Sequence, residues 1–169
     1  MTAIAPVLVL GLGNDILTDD AVGLHVARAV RAALVGEPGI AIEETTEMGL
    51  TLLDSIANRD ALVLVDAVQT GRAPAGHIHE FGPADLSGVL TTSPHFLGVG
   101  ETLALGRSLG LSMPRDVRIL AIEVADPLTL GTTLTPAVAH TVAPAAARIA
   151  ACARLMASHA RLQPVAPTT

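Results

Sequence analysis

Five side chains combine chemical capability with an informative position: Asp19, Asp20, Asp66, His95 and Glu123. Asp19 and Asp20 follow the apolar run Val7-Leu8-Val9-Leu10 and the turn glycines Gly11 and Gly13. Asp66 closes the run Ala61-Leu62-Val63-Leu64-Val65, Glu123 lies near the end of the last apolar run, and His95 follows Ser93-Pro94. An acid that ends a Val/Leu strand is costly to bury unless it is paired or bound to metal. Asp20, Asp66 and His95 make an O,O,N donor set. Such a set suits a divalent transition metal such as nickel or zinc and leaves coordination positions open. Each residue also has a plain structural reading. Asp20 would be a helix cap or a first-turn acid favoured by the helix dipole. Asp66 would be a solvated strand end or a turn acid bonded to N–H groups. His95 would be a solitary loop imidazole. The spacing is not a local motif, so the set exists only if the fold gathers it.

The elements that would gather it alternate in type. Residues 7–10 read as a buried strand, 20–34 as an amphipathic helix with Val22, Val26, Val30 and Ala33 on one face, and 40–44 as a short strand. Asp19 is the expected N-cap of that helix. Leu50, Leu53 and Ile56 mark a second helix, and residues 61–68 a second strongly apolar strand. Residues 77–81 read as an edge strand, 82–94 as an irregular loop, 97–109 as a helix, 118–124 as the last strand and 137–157 as an Ala-rich helix. The expectation is a single α/β domain over residues 1–169, with a frayed tail from about residue 163. Its fold is a three-layer sandwich, with a largely parallel central sheet and helices on both faces. In such sheets sites form at the carboxyl ends of the strands, which is where these acids fall.

Composition narrows the class. The chain has 169 residues, a net charge of −6 and two phenylalanines as its only aromatics, so its core is Val, Leu, Ile and Ala. The acidic balance argues against a nucleic-acid surface. One cysteine, Cys152, excludes an intrachain disulfide and a Cys-based zinc cluster. The short first apolar run has no basic region before it, so it does not read as a signal peptide. No run of about 18 apolar residues reads as a membrane span. The chain is expected to be a soluble cytoplasmic monomer. Gly11-x-Gly13 begins a dinucleotide fingerprint, but Ile16 occupies the third glycine position. His77 and His79 share a strand face and Cys152 lies mid-helix; solvated histidines and a core thiol are the ordinary readings.

The segment Gly11-Leu12-Gly13-Asn14-Asp15-Ile16-Leu17-Thr18-Asp19-Asp20-Ala21-Val22-Gly23 resembles the opening signature of the nickel–iron hydrogenase maturation endopeptidases. Val65-Asp66-Ala67 resembles their second motif, and Ser93-Pro94-His95 with Leu97-Gly98 their third. The likeness continues through Gly131, Leu134-Thr135-Pro136 and Val138. It implies an α/β endopeptidase that trims the C-terminal extension of a hydrogenase large-subunit precursor after nickel insertion. It also implies that Asp20, Asp66 and His95 contact the metal and act in catalysis through it, with Asp19 as a supporting or capping acid. The nickel would arrive with the substrate; zinc or cadmium would be surrogates. Thr45-Thr46-Glu47-Met48-Gly49 departs from the family's Gly-rich stretch before the second helix, which bears on partner choice. The competing readings are a non-cleaving, metal-dependent chaperone of the precursor and a Rossmann-like nucleotide-binding domain.

Overall fold

A computed structural model describes residues 4–47, 49–82, 85 and 94–162. The sheet is built from β1 (Val7–Leu12), β2 (Ile40–Thr45), β3 (Ala61–Val68), β4 (Ile78–Phe81) and β5 (Asp116–Glu123). Its helices are α1 (Val22–Ala33), α2 (Leu52–Ile56), α3 (Pro94–Ser108) and α4 (Pro136–Leu162), with single 3-10 turns at Asp19–Ala21 and Gly49–Thr51. Among these elements the strand order is β2-β1-β3-β5-β4. β2, β1, β3 and β5 are parallel, and β4 runs antiparallel along one edge.

The apolar runs explain this arrangement. Every residue of β1 and β3 is buried, as expected of parallel strands covered on both faces. Alternation divides their side chains between two cores. Val7, Val9, Val63 and Val65 pack with α1 and α4 through Val22, Val26, Ala145 and Ile149. Leu8, Leu10, Leu62 and Leu64 pack with α2 and α3 through Leu52, Ile56, Phe96 and Val99. The expected sandwich with helices on both faces is therefore the observed one. No helix among the described residues is long and apolar enough to cross a membrane.

Several boundaries differ from the sequence expectation, and three of them bear on the site. β1 does not stop at Leu10, since Gly11 and Leu12 still pair with Glu44 and Thr45 of β2. Gly11 stays in the strand because it is where helix and sheet touch: a Cβ there would lie 2.4 Å from the Gly23 carbonyl oxygen. The first helix opens as a 3-10 turn at Asp19–Ala21 before α1 begins. α3 starts at Pro94 rather than at residue 97, because proline suits the first helical position. His95 therefore sits in the first turn of a helix and not in the loop before it. The expected irregular loop over residues 82–94 and the frayed tail from residue 163 fall largely outside the described residues.

After β1 the chain passes to β2 on one side and then to β3 on the other. The strand order thus reverses between β1 and β3, and a crevice opens at their carboxyl ends.

Candidate active site

The β1–β3 crevice receives one acid from each strand end. Asp20 follows β1 through the tight segment 13–18. Gly13 has φ +153°, and a Cβ there would lie 2.2 Å from the Asp20 carbonyl oxygen, so only glycine lets this segment fold so closely against the Asp20 backbone. Asp66 projects from β3 by the same alternation that sends Leu62 and Leu64 toward the α2/α3 face, which brings it to the first turn of α3. There His95 Nδ1 lies 3.1 Å from both Oδ1 and Oδ2 of Asp66. Oδ1 also accepts the Ala67 N–H at 2.8 Å.

The electrostatics join all three residues. Asp66 is fully buried, whereas the His95 side chain is 17% exposed and so reaches the crevice. The hydrogen bond to Asp66 holds the His95 imidazole above its ordinary pKa; burial opposes this, and the charges of Asp66 and Asp20 add to it. Burial raises the Asp20 carboxyl above the usual range, and the charge of Asp66 adds to the rise. His95 and the Asn14 backbone work in the other direction. A buried acid, an imidazole leaning on it and a half-buried second acid form a compact set able to bind or shuttle charge.

The set is not a ready-made cage. Among the described residues no three His, Cys, Asp or Glu side chains stand in ligand positions around a common point. Within the pair, Asp66 accepts the Ala67 N–H and faces His95 Nδ1. With Nδ1 engaged, His95 has Nε2 left for a ligand. Asp66 therefore does not stand uncompensated before a metal arrives, since His95 is its partner.

Asp19 departs from the expected cap. The residue before α1 is Ala21, and no side chain caps the helix. Asp19 is fully buried and turns the other way. Its carboxylate accepts the N–H groups of Ala125 at 3.2 Å, Asp126 at 2.9 Å and Thr135 at 2.7 Å, and the Thr135 hydroxyl at 2.9 Å. Asp19 therefore fastens the segment 125–135, which joins β5 to α4, onto the segment that carries Asp20. Replacing Asp19 with Ala would leave three part-buried N–H groups without their acceptor at once. Asp19→Ala should lower folding stability by about 3 kcal/mol or more, measured by urea unfolding. A loss under about 1 kcal/mol would mean that water replaces the carboxylate there.

Glu123 joins a different network. Its buried carboxylate accepts Thr70 N, Gly71 N and the Thr70 hydroxyl, and faces His79 Nε2 at 2.9 Å. Burial pushes its pKa up, but hydrogen bonds from Thr70, His79 and Gly71 more than offset this. Glu123 ties down the loop after β3, and His79 is paired rather than simply solvated. The residues that sequence reasoning missed are the partners of Asp19, above all Thr135. Its signal was Thr135-Pro136, a hydroxyl residue directly before a proline that opens a helix.

Known proteins resemble this chain over most of its length. A family model described as hydrogenase maturation protease matches residues 24–152. The hydrogenase 2 maturation protease of Escherichia coli (strain K12) is 29% identical over 150 residues, which is 88% of this chain and 90% of that protein. The solved structure of the hydrogenase maturating endopeptidase HybD from E. coli aligns with a TM-score of 0.76 at 29% identity, covering 89% of this chain and 93% of that one. The NiFe hydrogenase maturation protease HybD from Thermococcus kodakarensis, with a TM-score of 0.67 at 23% identity over 87% and 98% of the two chains, shares the fold.

Proposed function

This chain belongs to the hydrogenase maturation protease family, and from that membership we propose that it is the endopeptidase that removes the C-terminal extension of a nickel–iron hydrogenase large-subunit precursor, reading the nickel already held by that substrate. The supporting observation is the His95–Asp66 pair at the β1–β3 crevice, with Asp20 electrostatically coupled to both. Their donor types suit nickel. In this reading the substrate brings its metal to the crevice, and the scissile segment is placed beside it. Nickel supplies a Lewis acid next to the peptide carbonyl. Asp20 offers a half-buried carboxylate whose pKa is raised by burial and further by the charge of Asp66, so a cation relieves it. His95 would offer Nε2 while Asp66 holds Nδ1, and Asp66 would supply a carboxylate oxygen of its own.

The deciding experiment incubates the protein with nickel-loaded and nickel-free precursor and weighs the products. Shortening of the loaded form alone is expected. Equal shortening of both would refute recognition of the metal. A captured but uncut precursor would instead identify a chaperone.

The site also sets a pH dependence. His95 holds its proton to a higher pH than an ordinary imidazole, and a protonated ring cannot ligate. Nickel-dependent processing should therefore rise with pH through a window above the ordinary imidazole range and level off once His95 has lost its proton. A rate that falls over the same interval would show that the imidazolium is the working form.

A further inference from the structure

The two segments that flank Asp20 carry an uncovered apolar surface. Ile16 is 58% exposed, Leu128 79% and Leu130 75%. They belong to one paired unit. Leu17 bridges Leu130 in antiparallel fashion, Gly131 N donates to Ile16 O, and Thr18 donates to Thr129 O through both its N–H and its hydroxyl. Asp126 Oδ1 accepts Leu128 N and Thr129 N, which fixes the turn that presents the leucines. Asp19 clamps this unit from beneath.

Single exposed apolar residues are ordinary, but three large ones carried on one hydrogen-bonded unit are a local concentration of apolar surface. Its leucine arm, residues 127–139, contains no Asp, Glu, Lys or Arg, while Asp15 precedes Ile16 and Asp126 precedes the arm. It is continuous with the candidate site, because Asp19 and Asp20 are adjacent and Asp19 holds the far loop.

We propose that Ile16, Leu128 and Leu130 form the docking platform on which the large-subunit precursor lays an apolar face when its nickel reaches Asp20. This inference rests on the function proposed above. A macromolecule that brings a metal to Asp20 must lie across the residues on either side of it. A few ligand bonds to one ion do not distinguish one metal-bearing chain from another, so discrimination needs contact away from the reacting atoms. An apolar surface bordered by Asp15 and Asp126 favours an apolar partner face and disfavours a polyanion.

The test uses the full chain carrying Leu128→Ser together with Leu130→Ser. Leu155→Ser, at a 58% exposed position near the far end of α4, serves as the control. With nickel-loaded precursor, the double variant should show KM raised about tenfold or more with kcat little changed, while the control matches wild type. Leu128→Met with Leu130→Met should restore KM, and all variants should unfold at the wild-type temperature. An unchanged KM in the double variant overturns the platform and leaves the peptidase reading standing. If the wild type captures the precursor on a column without cutting it, and the double variant captures it about tenfold less well, the platform stands and the peptidase reading falls. Failure of the wild type to capture or cut the precursor overturns the platform as well. A wild-type dimer that the double variant converts to a monomer in sedimentation assigns the patch to a second copy and overturns the proposal.

Discussion

Asp66→Asn should leave the fold intact and reduce processing of nickel-loaded precursor by at least about a hundredfold. The amide can still accept the Ala67 N–H, so the buried position keeps one of its bonds. It carries no negative charge, and its N–H groups would face His95 Nδ1. The imidazole would then be drawn to the tautomer with its proton on Nε2, which removes the lone pair that a metal needs. One substitution thus takes away a charge, a ligand and the orientation of a second ligand. His95→Ala should give a loss of the same order. Mass measurement of the precursor reads the effect, and a wild-type thermal unfolding curve separates it from misfolding. Near-normal cleavage by Asp66→Asn would remove Asp66 from the site.

Gly23→Ala should cost more than about 3 kcal/mol, a large part of the stability of a domain this size. A Cβ at Gly23 would stand 2.1 Å from the Leu12 carbonyl oxygen and 2.5 Å from that of Val65. Both obstacles are backbone atoms of central strands, so no rotamer relieves the clash. α1 would have to lift away from β1 and β3 at the ends that position Asp20 and Asp66. Gly36→Ala makes the contrast. At φ +80° with nothing within 4 Å, it meets only the backbone penalty of about 1 kcal/mol. Denaturant midpoints for the two variants test this, and equal shifts would show that the helix moves freely on the sheet.

Short-range features of the sequence foretold much of this. The runs 7–10 and 61–68 read as buried strands, and the acids that follow or close them then fall at the sheet's carboxyl edge. That reasoning brought Asp20 and Asp66 to one crevice. His95 was found by type and by its neighbouring proline, although Pro94 opens the helix instead of ending a loop. Long-range partners stayed hidden. Asp19 reads as a cap because capping is a local event, while its real partners lie in segment 125–135. The Asp66–His95 pair was equally invisible, because its geometry depends on how α3 lands on β3. The persistence of β1 to Leu12 depended on Gly23 lying opposite Gly11, which no periodicity encodes.

The separation of Asp19 from its partners also has a temporal side. The carboxylate bonds residues 106, 107 and 116 positions further on. Closing so large a loop is entropically slow and must wait for those residues to exist. A nascent polypeptide that has emerged only through His95 already possesses every group that touches charge in the crevice, yet lacks the strap that steadies the first of them. Competence therefore arrives late in synthesis, when the final third of the chain has left the ribosome and settled onto the sheet.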